Sequence, residues 1–563
     1  MAKIEGGHLV ARTLKAHGVE YLFTLCGGTI ESIYDGCLNE GIRIVDVRID
    51  HSAPLMADAY VRVSGKLGVS AVTRGPGHAA SFYGLVTAHV AGTPMLAISG
   101  FSDIAEIDMA SLQEYDIAGT VRPVTKWSKL VGQTHRLPEY INAAVRHAWA
   151  GRPGPAHLSL PNDVLYQSIE DDNIAVPTAE STRPTARIRG DTDLIERAIK
   201  MLSEAHRPVV IAGAGARWSN AGKALMQFIE TTHLPLFAKQ SDVNVIYAPH
   251  PLFFGRATTR FPSATTQLQY ADVVLSLGCR LDWMLNFGRP PLFAKDAKFI
   301  MVDVDSTMIG FNRPFELGIV GDVRSVVEDM TATATRYDFA PRRDWLNQLK
   351  QANQAFDAKV MEAANGNGTP VHPLCLCKAV REFYGDDATI VLDGGDITLF
   401  GYMAFNHYHP PHFLFTGPLG GIGQGTAFAM AGKLARPDKP AVLLSGDGAM
   451  GYGIMEYDTA FKHRLPFVSI VSNNAAWGLI RHPQIKRYGI ERAVATDLRD
   501  NMPYHKIVEA MGGYGEHVEK PKDLYPALER AQRAVEKGVP AMINVKTQLA
   551  NSINFAHSLN FAR

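Results

Sequence analysis

Two short stretches of the chain place oxygen donors where apolar runs end. In AVLLSGDGAMGYG, residues 441–453, the run stops at an aspartate held between two glycines, Gly446-Asp447-Gly448; in PFVSIVSNNAAWG a second run stops at Asn473-Asn474. Ligands of an open parallel α/β sheet sit outside the carboxyl ends of its strands, where glycine-rich turns and helix N-termini present N–H groups. Two neighbouring strands would therefore deliver Asp447 and the asparagine pair to one place. Such oxygen ligands suit a hard divalent ion, and Mg2+ normally completes its octahedron with phosphate oxygens and water. An anionic diphosphate is the natural partner. Gly-Asp-Gly alone is also ordinary turn chemistry; the asparagine pair after a second buried-looking strand is what shifts the reading away from a plain turn.

These ends need a parallel sheet behind them, and the chain offers three blocks that could build one. YLFTL, IRIVDV, LGVSAVT, MLAISG and AHLSLP alternate with helix-like segments up to about residue 180. A linker rich in Pro, Thr and charge follows. RPVVIAGAGARWSNAGKAL, ADVVLSLGCRLDW and KFIMVDVDS form a second block, and ATIVLDGGD, PAVLLSGDG, PFVSIVSNN and PAMINVKT a third, after a loose stretch from TRYDF to TPVHP. The expectation is an α/β protein of three domains, residues 1–180, 190–340 and 370–563, each a parallel sheet flanked by helices. The first and third could be two copies of one architecture.

Composition narrows the partners. The 563 residues carry a formal net charge of zero, so no global field draws nucleic acid or an anionic membrane surface, and any anion must be met locally. There is no apolar run of membrane-spanning length and no signal-peptide core, which predicts a cytoplasmic protein. The five cysteines, Cys26, Cys37, Cys279, Cys375 and Cys377, lack paired metal-ligand spacing and read as buried free thiols. His407, His409 and His412 in NHYHPPHF have no partner cluster to make a zinc site and would shape the mouth of the cofactor site instead.

The GDG-then-NN pattern resembles the thiamine-diphosphate binding motif, and the resemblance to the decarboxylase branch of those enzymes extends over nearly the whole chain. That branch includes acetolactate synthase, benzaldehyde lyase, oxalyl-CoA decarboxylase and 2-hydroxyacyl-CoA lyase. The resemblance implies that Asp447, the side chain of Asn474 and the carbonyl of Ala476 ligate Mg2+, and that Gly448 and Ala449 offer N–H groups to the diphosphate. Asn473 would position the loop, and Gly446, Gly395, Asp396, Trp477 and Gly478 complete the implied cofactor contacts. TGPLGGIGQG resembles the segment that holds the pyrimidine: the carbonyl of Gly420 would receive the 4'-amino group, and Ile422 would be the wedge that bends the cofactor.

A glutamate of the family, on a neighbouring subunit, activates the cofactor through its pyrimidine. In VRIDHSAPLMADAYVR the matching position is Asp50, one methylene shorter, so that contact needs a small backbone shift or a bridging water. His51 beside it is a candidate relay. LFTLCGGTIESIYDG places Gly27 and Gly28 towards the cofactor, SAVTRGPGHAAS places His78 as either packing or a substrate contact, and SLQEYDIAG places Gln113 as a polar contact to substrate.

GAGARWSNA, GCRLDWMLNFGRPP and VDVDSTMIGFNRP resemble the CoA-using members, whose middle domain carries ADP or the nucleotide end of CoA. Asp303 would then meet a ribose, and Arg152 and Arg280 phosphates; equally, the middle domain could hold nothing, and no FAD pattern is evident. The implied activity is a carbon–carbon lyase or carboligase, foremost a 2-hydroxyacyl-CoA lyase. Its alternatives are an acetolactate-synthase-like or benzaldehyde-lyase-like enzyme without CoA, and a weakly active paralogue. The split site implies a homodimer at minimum, with a homotetramer of two such dimers expected. The tail QLANSINFAHSLNFAR reads as a lid over the substrate channel or as a frayed terminus.

Overall fold

In the computed structural model the chain is described for residues 3–171, 174–183, 186–239, 245, 249–405, 412–415 and 417–552. His407, His409 and the tail beyond Ser552 lie outside them. The apolar runs become strands of three six-stranded sheets, with every strand pair parallel. Their side chains are buried on both faces, which is why the sequence runs are continuously apolar and do not alternate.

The first sheet runs, edge to edge, Arg43–Asp46, Tyr21–Thr24, Gly68–Val72, Met95–Phe101, Ala156–Pro161 and Trp127–Leu130. The last runs Phe413–Phe415, Thr389–Asp393, Ala441–Gly446, Val468–Asn473, Ala541–Lys546 and Tyr514–Val518. Numbered along the chain within each sheet, both follow the order 2-1-3-4-6-5, so the two blocks share one topology. The middle sheet, built from Val209–Ala212, Leu236–Lys239, Phe253–Ala257, Val273–Leu277, Lys298–Asp303 and Leu317–Val320, follows 3-2-1-4-5-6, the doubly wound order of nucleotide-binding domains.

The first and last units pack through two helices. Ser52–Ser64 is buried from Ser52 to Val61, because one side meets its own sheet and the other meets Gly425–Ala435. Alanines on both helices, with Gly425 and Gly432 on the second, allow that approach. Arg62 closes one end: it pairs with Asp58 at 2.6 Å, donates to the carbonyl of Phe415 at 3.2 Å and lies over the Phe428 ring.

Two sequence expectations are corrected. The loose stretch before the third block contains a 22-residue helix, Arg343–Ala364, whose Trp345, Leu349, Phe356, Val360 and Ala364 form a buried stripe at helical spacing. Cys37, Cys279 and Cys377 are buried free thiols, but Cys26 is exposed and Cys375 half-buried; Cys26 stands in the turn after a strand, outside the sheet's packing. No helix of the described residues is long and apolar enough to cross a membrane.

Candidate active site

In the order 2-1-3-4 the chain reverses direction of travel between strands 1 and 3, and the loops leaving those strands part to form a crevice. In the last sheet these loops are Gly394-Gly395-Asp396 and Asp447-Gly448-Ala449. A Cβ on Gly394 would lie 3.1 Å from the backbone nitrogen of Gly446, so a side chain there would crowd the crevice.

Asp447 is buried, and its carboxylate is held by backbone donors: Gly448 N–H to Oδ1 at 2.9 Å, Asn474 N–H to Oδ2 at 3.1 Å and Ala475 N–H to Oδ2 at 2.7 Å. An ionised carboxylate has about four lone-pair sites, so one remains on Oδ1 for a metal. Burial without a cation pushes the acid up to about 6, a cost that a divalent ion would offset. Ala475 reaches its bond only by adopting φ 56°, an uncommon conformation for a side chain with a Cβ. Asn474 Oδ1 accepts from Ala476 N–H at 3.1 Å. Asn473 anchors the turn from below, its amide donating to the carbonyl of Met502 at 3.1 Å and to Asn544 Oδ1 at 3.2 Å. The donor set and the remaining lone pairs fit a hard divalent ion; clusters of three or more His, Cys, Asp or Glu that could hold a metal are absent among the described residues.

Trp477 packs so close to Gly448 that a Cβ there would lie 2.2 Å from the indole, and Gly478 is similarly required beside Asp396 Oδ2. Asp396 is buried, with Ser552 donating to its Oδ1. Gly420 and Gly423 both have positive φ, 71° and 84°. The loop between them is tied at two points: Asp393 accepts Gly423 N–H at 3.1 Å and Gly425 N–H at 2.7 Å, and Tyr83 donates its hydroxyl to the carbonyl of Ile422 at 3.0 Å. Of these, Tyr83, Asp396, Gly420, Ile422, Trp477 and Gly478 line, with Asp447 and Gly448, a cavity of about 690 Å³ that also receives His51, Arg260, Trp283 and Met284.

The first sheet has its own crevice at the equivalent place. A Cβ on Gly27 would meet Thr73, one on Gly75 would meet Gln113, and one on Gly77 would lie 3.1 Å from Asp50 Oδ1. Gly28 is open on its Cβ side. Asp50, Gly27, Gly28 and Gln113 are thus gathered at one edge, and burial raises the Asp50 acid above its ordinary value. Asp50 does not line the cavity that Asp447 lines; His51, its neighbour, does, set edge-on to Tyr83 with ring centroids 5.7 Å apart.

His78 is not brought to either crevice surface. It is fully buried in a line of hydrogen bonds: Ser128 donates to the carbonyl of Ala118 at 2.8 Å, and so accepts from His157 Nδ1–H; His157 Nε2 accepts from Ser99, which accepts from His78 Nδ1–H at 2.7 Å. His78 Nε2 is left without a partner, and burial pushes the imidazole down to about 4.

Arg152, Arg280 and Asp303, far apart in sequence, line a second pocket together with Lys239, Asp282 and the glycine turns at Gly215 and Gly278. It encloses about 70 Å³. Sequence reading missed Asp393, Tyr83, Arg260 and Ala475. Only Asp393, in LDGGD, carried a signal, an acid ahead of a glycine pair at a strand end.

Three parallel sheets with two equivalent crevices, one with a buried carboxylate beside an asparagine pair at its strand ends, have the form of an α/β enzyme that takes its ligand at the carboxyl ends of the strands. The chain belongs to the thiamine pyrophosphate enzymes: the N-terminal TPP binding domain matches residues 4–120, the central domain 195–330 and the C-terminal TPP binding domain 393–545. It is a thiamine-diphosphate-dependent enzyme. Among its relatives is a probable acetolactate synthase of Mycobacterium bovis, 33% identical over 97% of this chain and 96% of that one. A 2-hydroxyacyl-CoA lyase of Oryza sativa is 30% identical over 96% and 95%. The human 2-hydroxyacyl-CoA lyase 1 is 26% identical over 96% and 94%.

Proposed function

We propose that this chain is a carbon–carbon lyase or carboligase that uses small 2-oxo acids, acyloins or aldehydes without CoA. Thiamine diphosphate, when bound, supplies a nucleophilic carbon and an electron sink for the bond that is made or broken. The protein's part is to hold it: Asp447, Asn474 and the carbonyl of Ala476 take Mg2+, Gly448 and Ala449 face the diphosphate, and Gly420 and Ile422 receive the pyrimidine end. Asp50 handles the proton at the pyrimidine of a neighbouring subunit's cofactor. A dimer as the smallest active form is supported by Asp50 lying outside the wall of the cavity that Asp447 lines; a tetramer of two such dimers follows the same logic.

The observation that carries the CoA-free reading is the contrast in room. The cavity beside Asp447 offers about 690 Å³, whereas the pocket formed by Arg152, Arg280 and Asp303 offers about 70 Å³, far below the ~300 Å³ at which small-molecule sites begin. The second reading, a 2-hydroxyacyl-CoA lyase with the nucleotide end in that pocket, is favoured by the convergence of those three residues and by Phe415 and Gly417, which belong to both pockets. Purified protein loaded with thiamine diphosphate and Mg2+ separates the two. Turnover of pyruvate, acetolactate or an acyloin supports the first, and cleavage of 2-hydroxyacyl-CoA alone supports the second. Tight cofactor binding with no turnover and no exchange of the cofactor's C2 proton would make the chain an inactive paralogue.

A further inference from the structure

Apart from the residues that cradle the cofactor, the main cavity is walled by Ile397, Leu399, Phe400, Tyr402, Met284 and Ile480, and into this apolar surface the middle unit brings one guanidinium, Arg260. The backbone N–H of Arg260 bonds to Thr258 Oγ1 at 3.1 Å, and its side chain lies over the Trp283 indole, 5.4 Å from the ring centroid. No ion pair joins it to either carboxylate of the cavity: Asp447 accepts three backbone N–H groups, and Asp396 accepts from Ser552 at Oδ1 while its Oδ2 has no partner. Desolvation lowers the guanidinium's pKa, with Tyr402 the sole titratable group acting on it. An arginine keeps its proton even so.

A half-buried cation without an ion pair, as Arg260 is among the described residues, is costly, and the cost is relieved when an anion arrives. The cation–π contact sets the guanidinium against Trp283, and the fork of N–H groups that a guanidinium carries matches a planar, two-oxygen partner. A carboxylate has that shape. Thr258 fixes the backbone and Trp283 the side chain of Arg260 in a cavity lined by the same Gly446-Asp447-Gly448 turn that is assigned to the cofactor, so the carboxylate is one belonging to the reacting molecule.

We propose that Arg260 is the anchor for the substrate's carboxylate, which makes the enzyme's substrate a 2-oxo acid and not a neutral aldehyde or acyloin. This rests on the reading of the main cavity as the site of both cofactor and substrate. It also gives the cavity a direction: the carboxylate lies towards the middle unit and the carbonyl towards the cofactor.

The test compares the holoenzyme with Arg260→Gln and Arg260→Lys, using pyruvate as the anionic probe and acetaldehyde as its neutral counterpart. Binding is read from quenching of the tryptophan fluorescence to which Trp283 contributes, and turnover from KM and kcat. Arg260→Gln should weaken pyruvate binding at least ten-fold relative to acetaldehyde, with the loss in KM more than in kcat, and Arg260→Lys should recover part of it. Equal losses for both probes, or no loss for pyruvate, would overturn the assignment, as would wild-type holoenzyme that binds no pyruvate. If pyruvate binds through Arg260 while only 2-hydroxyacyl-CoA is turned over, the carboxylate subsite stands and the CoA-free reading falls. Should a carboxylate of a partner subunit occupy Arg260 instead, Arg260→Gln would weaken the dimer on dilution and leave the pyruvate-to-acetaldehyde ratio unmoved, which also overturns it.

Discussion

The carboxylate of Glu456 accepts the backbone N–H of Ile49 at 3.1 Å, one residue before Asp50. Glu456 is almost fully buried, accepts Arg48 N–H at 3.1 Å as well, and receives the Thr459 hydroxyl at 2.6 Å. It lies nine residues after Asp447, on the helix Glu456–His463. The segment that follows Asp447 in one cavity wall therefore also holds, in the same chain, the turn that carries Asp50. Glu456→Ala would leave two N–H groups and a hydroxyl unpaired, at about 1–3 kcal/mol for each group that water cannot reach. Urea unfolding should show a loss of at least ~2 kcal/mol, within that range for a single group. Glu456→Gln, which keeps the acceptor, should lose less than half as much. Equal losses would show that charge, not acceptor geometry, holds the turn.

Asp447→Ala removes the acceptor of three backbone N–H groups and the ligand expected for Mg2+. Calorimetric titration with thiamine diphosphate and Mg2+ should show affinity reduced at least 100-fold, and chelation of Mg2+ from wild type should release the cofactor. Retained affinity would place the metal elsewhere.

Asp50→Asn should abolish exchange of the cofactor's C2 proton without weakening cofactor binding more than a few-fold, since Asp50 lies outside the diphosphate cradle. Asp50→Glu restores the missing methylene, and exchange should be at least as fast as in wild type. Proton NMR of acid-quenched samples in deuterium oxide measures both. Unchanged exchange in Asp50→Asn would remove Asp50 from the activating role.

His17 is buried with neither ring nitrogen hydrogen-bonded, and burial, reinforced by Arg183, pushes it from 6.5 down to about 4. Between pH 4 and 6.5 the unfolded chain binds a proton at this residue that the native chain does not, so its stabilising contribution is complete above about 6.5 and is lost as pH falls towards 4. His17→Leu removes the effect. Comparing urea unfolding at pH 7.5 and pH 4.5, the variant should lose less stability than wild type, by on the order of 2 kcal/mol. Parallel pH profiles would mean that His17 is solvated in the native state.

Much of the fold was legible because its strands are buried on both faces and write themselves as apolar runs. The helix Arg343–Ala364 was not, since its stripe is diluted by polar residues and includes the buried Asn353, whose amide bonds to the carbonyl of Phe254 at 3.2 Å. For His78 the sequence left packing and a substrate contact equally open, because its glycine turn resembles one that lies beside the cofactor in the family. The structure turns it inward, where Ser99 and His157 complete its hydrogen bond.

By itself the sequence determined the family, the three-sheet architecture and the strand-end turn at Gly446-Asp447-Gly448. Those features depend on consecutive residues, a strand end and a turn stripped of side chains, which is a local pattern. Only the tertiary structure decided that Glu456 holds the turn before Asp50, that Tyr83 ties down Ile422, and that Arg260 stands in the main cavity with no ion pair among the described residues. Each of these joins segments far apart in the chain, and whether a polar group is paired or left bare depends on what packing brings to it.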